Sequence, residues 1–200
     1  MGRVDAELMY EKVKNWKWGG SGEDIYHDIE TRRNGITYRG NIARLLEQLI
    51  NDGELEKAEE IADLSMEKMP VNKFGFYSLL EPYISAYYEI GNDEKGRKLF
   101  NDVVRKFQEN LIFLSGLSLE NQEKYIEEIY TDIQRYRAMV DVLVVYDQEF
   151  ALEETKKFNG YLRLFDALLG PALQDTEPRT DLDINDLLED SDTTITPEEE

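Results

Sequence analysis

Apolar residues recur at the three-and-four spacing of an α-helix through most of the chain before Gly170. The first clear run is Ile42, Leu45, Leu46, Leu49 and Ile50, ending at Asp52-Gly53. A glycine there supplies the positive-φ residue that commonly closes a helix. The next run follows at once, with Leu55, Ala58, Ile61, Ala62, Ser65, Met66 and Met69 leading to Pro70. Ala58 and Ala62 are small enough to let two helices approach closely, so the two runs read as a helical hairpin.

The layout returns 38 residues later, at Gly91. At that shift Leu45, Leu46 and Leu49 align with Tyr83, Ile84 and Tyr87, and Ala58, Ala62 and Ser65 with Gly96, Phe100 and Val103. Large and small residues exchange places between the copies, which preserves the volume of a packed layer. A long outgoing helix carries Phe100, Val103, Val104, Phe107, Leu111 and Leu114 up to Gly116, and Ser118 is a candidate cap for the next one. That helix shows Ile126, Ile129, Tyr130, Ile133, Tyr136, Val140 and Leu143; Val142 to Tyr146 sits inside its period and reads as helix, not strand. A final segment from Gln148 to Leu169, with a candidate break at Asn159-Gly160, makes a degenerate third hairpin.

The expected fold is therefore all-α: a tetratricopeptide-like solenoid of about three hairpins, since units at this period bury their apolar faces only by stacking. With Pro70 as the last residue of a 34-residue unit, Ile42, Leu45, Leu46, Leu49, Gly53, Ala58 and Ala62 fall on or near the pattern positions, although Ala62 stands where an aromatic is usual. Three segments are expected. Residues 1–35 form a short helix (Asp5 to Asn15) and a Gly-rich connector, Trp16-Lys17-Trp18-Gly19-Gly20-Ser21-Gly22, packed on the repeats; 36–170 form the repeats; 171–200 form an acidic disordered tail.

Charge narrows the partners. Of the formal net charge of -20, half sits in the tail, where eleven acidic residues face a single base, Arg179. No basic stripe exists to neutralise phosphates, which argues against nucleic acid. No apolar run reaches the roughly 18–20 residues of a membrane span, so the chain is expected to be soluble as an isolated piece. The absence of cysteine excludes disulfides and thiolate metal sites.

Candidate chemistry is sparse, and neither catalytic residues, a metal nor a cofactor is expected. His27, the lone histidine, lies near Asp24 and Asp28 without a nucleophile motif or metal-ligand spacing, so a loop histidine with local hydrogen bonds is expected. Asp181 to Asp192 half-matches a calcium loop but has Asp186 in place of the turn glycine and Asp192 in place of the terminal glutamate. Within it Ile184, Leu187 and Leu188 have the spacing of a short docking motif. The carboxylate runs Glu56/Glu59/Glu60 and Glu123/Glu127/Glu128 read as charged solvent faces. Tyr83, Tyr87, Tyr88, Tyr125, Tyr130 and Tyr136 read mostly as core by spacing. If the repeat alignment holds, Glu47, Glu81, Ser85, Tyr88 and Glu89 line a concave groove for a protein or peptide partner.

Taken in order, Trp16-Lys17-Trp18-Gly19, Asp24-Ile25-Tyr26, Thr31-Arg32-Arg33-Asn34, Arg39-Gly40-Asn41-Ile42-Ala43-Arg44-Leu45 and Ala86-Tyr87-Tyr88-Glu89-Ile90-Gly91 carry a family likeness. Over residues 5 to 165 the chain resembles the C-terminal region of bacterial multi-spanning membrane proteins similar to the GT-C protein O-mannosyltransferases. It departs from them in having Gly96 where a small alanine is expected, and in its long acidic tail. The resemblance implies a tetratricopeptide-like extracytoplasmic domain at the periplasmic face of the inner membrane, attached through upstream spans, in a glycosyltransferase that uses a lipid-linked sugar. It also implies that the catalytic acid lies between those spans, so no catalytic residue carries over; the partner would be an acceptor protein. Asp192-Thr193-Thr194 resembles an O-glycan acceptor tripeptide of such bacteria. Two alternatives remain open: a free-standing enzyme with a site around His27, Asp24 and Trp16, and a glycan-binding surface protein using Trp16 and Trp18 as platforms.

Overall fold

A computed structural model describes residues 5–170, the side chain of Ser78 excepted. The acidic tail, with its calcium-like loop, docking motif and Asp192-Thr193-Thr194, lies outside the described residues. Those described are all-α, with no strand. The helices are α1 (Ala6–Lys14), α2 (Ile29–Asn51), α3 (Leu55–Lys68), α4 (Val71–Phe74), α5 (Glu81–Ile90), α6 (Asp93–Ser115), α7 (Leu119–Lys124), α8 (Ile126–Tyr146), α9 (Gln148–Arg163) and α10 (Asp166–Leu169), with a 3-10 turn at Tyr77–Leu80.

Three hairpins form the body: α2 with α3, α5 with α6, α8 with α9. Packing then runs between neighbours. Helix α3 lies on α5 and α6 on α8, while the incoming helices α2, α5 and α8 contact one another in sequence. The turns follow the glycines: Gly53 at φ 77° and Gly91 at φ 86° adopt the left-handed conformation that ends each incoming helix. The 38-residue register is physical, because all twelve residues it pairs, Leu45 to Ser65 and Tyr83 to Val103, are buried.

Several boundaries differ from expectation. Helix α2 begins at Ile29, capped by Asp28 (Oδ1 to Thr31 N, 2.8 Å), and runs unbroken through residue 35. Helix α9 passes through Asn159-Gly160 and ends at Arg163, the chain turning instead at Leu164-Phe165 as Phe165 inserts fully into the core. Ser118 occupies a cap position without a side-chain cap bond; the Gln122 amide secures that corner by donating to the carbonyls of Ser115 (3.0 Å) and Leu117 (2.9 Å). Tyr125 and Tyr130, expected in the core, are exposed, whereas Tyr83, Tyr87, Tyr88 and Tyr136 are buried.

A buried cation ties the first hairpin to the segment after α3. Arg39 is 1% exposed and donates from Nη2 to the Met69 carbonyl (2.8 Å) and from Nη1 to the Gly75 carbonyl (2.5 Å), and its own carbonyl accepts from Tyr83 Oη (3.0 Å). Burial pushes its pKa down to about 10. Its two terminal nitrogens bond only to carbonyls, which fixes where the chain turns between α3 and α5.

Candidate functional site

Of the five groove residues, four are on accessible helix surface. Glu47 on α2 and Glu81 and Glu89 on α5 are exposed, and Ser85 is half-buried. Partial desolvation raises the Glu81 pKa, and the nearby Asp141 carboxylate on α8 raises it further. Asp141 also pairs with Arg137 at 3.7 Å. Glu89 Oε1 accepts from Tyr146 Oη at 2.5 Å. Asp141 and Tyr146 were not anticipated, although Arg137 and Asp141 stand at the helical i, i+4 spacing that could have flagged them.

Tyr88 is the correction. It is 7% exposed, so it packs between hairpins and does not line an open face. Its ring stacks on Tyr146 (5.7 Å, 6° between planes) and its hydroxyl donates to Asp147 Oδ2 at 3.2 Å. The ring also lies over Gly96, where an added Cβ would sit 2.9 Å from Tyr88 Cε2. Asp147 is the joint between the second and third hairpins. Arg97 donates to it in a fork, Nε to Oδ2 at 2.6 Å and Nη2 to Oδ1 at 2.9 Å, and Phe150 N donates at 3.4 Å. The Arg97 hydrogen bonds hold its carboxyl below the usual range.

The acidic runs split. Glu56 is solvated, but Glu59 accepts from Lys95 Nζ and Asn92 Nδ2, both at 2.8 Å, which lowers its pKa and fastens α3 to the start of α6. Glu60 accepts from Tyr10 Oη and pairs with Lys14 at 2.9 Å, fastening α1. Glu128 accepts from Asn110 at 3.0 Å. Three of the acids read as solvent faces are therefore contacts between elements. A depression between α3 and α6 is rimmed by cations of which three pair with acids: Lys95 with Asp63 (2.6 Å), Arg105 with Asp102 (3.3 Å) and Lys106 with Glu109 (2.9 Å).

His27 is 8% exposed; its Nε2 lies 2.9 Å from the Ser21 carbonyl and its ring 4.8 Å from Phe74, the local arrangement expected of a loop histidine. Asp24 reaches Lys73 at 3.6 Å. Among the described residues no group of three His, Cys, Asp or Glu side chains could hold a metal ion.

Trp16 and Trp18 are half-buried and do not form open flat platforms. Trp16 meets Trp18 (5.4 Å, 63°) and Tyr38 (5.4 Å, 68°) edge to face. Together with Ser21, Thr31, Asn34, Gly35, Met69 and Phe74 they enclose a pocket of about 460 Å³. Gly35 is required at its floor, because a Cβ there would lie 2.8 Å from Phe74 Cδ1. Two buried side-chain polar atoms of its lining residues, Trp18 Nε1 and Ser21 Oγ, lack a hydrogen-bond partner among the described residues. Each such atom costs about 1–3 kcal/mol of desolvation. The Trp-rich connector was visible in the sequence; the pocket it closes against α2 and α4 was not.

When the chain is compared with known proteins, no family model, curated protein or solved structure matches it.

Proposed function

We propose that this chain is a non-catalytic, tetratricopeptide-like interaction domain whose α2, α5 and α8 surface captures a basic segment of a protein partner. The observation that carries the reading is the proximity of Glu81 on α5 to Asp141 on α8, on helices that also expose Glu89 and, on α2, Glu47. A lysine or arginine side chain set between two neighbouring carboxylates relieves their repulsion, so it binds more tightly there than to a lone one. The order of motifs from Trp16 to Gly91 supports a wider reading in which the domain belongs to a membrane glycosyltransferase similar to the GT-C protein O-mannosyltransferases and presents acceptor proteins to it.

The test is binding of a lysine-rich peptide to the chain and to a triple variant, Glu47→Lys, Glu81→Lys and Glu89→Lys. Affinity should fall at least tenfold and its salt dependence should flatten. Undiminished binding by the triple variant would remove this surface from consideration. For the wider reading, the reading frame upstream should encode several hydrophobic stretches of roughly 20 residues.

A further inference from the structure

We propose that the depression between α3 and α6 is a docking site for this chain's own acidic segment, Asp181 to Asp192. The inference uses none of the acidic residues offered on α2, α5 and α8, so the two stand or fall separately.

The depression, about 460 Å³ in volume, combines an apolar lining with a cationic rim. Met66 and Val71, both half-buried, and the buried Leu99 form the apolar part. Four cations, Lys95, Lys98, Arg105 and Lys106, stand there against three acids, Asp63, Glu67 and Asp102, in a chain whose net charge is -20. Lys98 is exposed and makes no ion pair among the described residues. Arg105 pairs with Asp102 of its own helix, both side chains being open to solvent. Such exposed pairs are weak, and an arginine has five donors, so Arg105 can accept a further carboxylate at little cost.

The segment carries the complementary pattern. It has six carboxylates and no base, and Ile184, Leu187 and Leu188 fall at the i, i+3, i+4 spacing of one helical face. The other half of the net charge lies before the tail, so most of the folded surface repels this segment. A site with an excess of cations beside apolar side chains relieves that repulsion and buries the three apolar residues at the same time. The chain is long enough. Ile184 lies 14 residues beyond Gly170, a span of up to about 50 Å when extended. A folded body of about 170 residues has a radius of gyration of about 15 Å, so the segment can reach this face.

The sequence has no cysteine, so a nitroxide attached through Ser191→Cys is a unique probe. The experiment maps the backbone amide NMR signals that it broadens in the full chain. At low salt the amides of Met66, Lys98 and Asp102 should lose intensity selectively, to the same extent at every protein concentration. About 1 M NaCl, which shortens the Debye length to about 3 Å, should reduce the loss. Lys98→Glu should reduce it too, as should Leu187→Ser combined with Leu188→Ser, which changes nothing within residues 5–170. Lys12→Glu makes the same charge change on α1 and should have no effect. The proposal is overturned if the amides around the depression stay sharp, or if broadening is uniform or centred on another face. It is overturned equally if broadening grows with protein concentration, the sign of docking on a second copy. Broadening that survives salt and both sets of substitutions, or that Lys12→Glu reduces as much as Lys98→Glu does, has the same consequence.

Discussion

Replacing Gly96 by alanine sets two effects of opposite sign against each other. Gly96 sits inside α6 with ordinary helical backbone, where alanine is favoured over glycine by about 1 kcal/mol. The added methyl would meet three atoms of the Tyr88 ring at 2.9, 3.1 and 3.2 Å, when ordinary contact begins at 3.4 Å. The ring has little freedom to retreat, because its face is stacked on Tyr146 and its hydroxyl is held by Asp147. Overpacking of this kind costs about 1–3 kcal/mol, so the net effect of Gly96→Ala is a loss of about 0–2 kcal/mol. Gly40 in α2 is the control: it is exposed with nothing within 4 Å of its Cβ position, and Gly40→Ala should stabilise by about 1 kcal/mol. Urea denaturation followed by circular dichroism gives both values, and each 1 kcal/mol corresponds to about 2–4 °C in Tm. In a Tyr88→Leu background Gly96→Ala should change sign and stabilise. If Gly96→Ala stabilises the parent as much as Gly40→Ala does, the close approach of Tyr88 to α6 is wrong.

Two further perturbations read the electrostatics. Asp147→Asn keeps a capping side chain but removes the ion pair with Arg97, and should cost about 1–3 kcal/mol at pH 7. Since the folded pKa of Asp147 is depressed, its contribution is complete above the unfolded value of about 4 and disappears as pH falls through the folded value. The difference between parent and variant should therefore narrow in acid, and a gap unchanged from pH 7 to pH 2 would contradict the assignment. Glu81 has the opposite sign: its pKa is raised, so it costs stability once it ionises in the folded protein. Glu81→Gln should raise the urea midpoint at pH 7 yet weaken capture of a lysine-rich peptide, the pattern of a residue kept for binding. A variant that loses stability at pH 7 would refute this.

Local rules go far in this chain where a feature depends on neighbours within a few residues. Asp5 and Asp28 cap their helices, Gly53 and Gly91 end theirs, and the buried stripe of each hairpin follows from helical periodicity. The acidic runs show where such rules stop. Glu56, Glu59 and Glu60 are indistinguishable by spacing, yet only Glu59 and Glu60 meet partners, brought by α6 and α1. Tyr88 likewise looked like a groove residue because its own helix gives no sign that Tyr146 and Asp147 cover it.

Periodicity and turn chemistry were thus enough to dictate an all-helical chain of paired helices with a fixed 38-residue register, because both act along contiguous backbone. Which charges became joints between hairpins, which aromatic ring demanded a glycine opposite it, and that Trp16 and Trp18 would close a pocket against α2 were decided only on folding. Asp147 and Arg97 lie 50 residues apart in the chain and Trp18 and Phe74 more than that. Contacts of that span depend on how one helix pair is rotated and offset on the next, and that rotation is set by the summed packing of whole interfaces rather than by any residue's immediate neighbours.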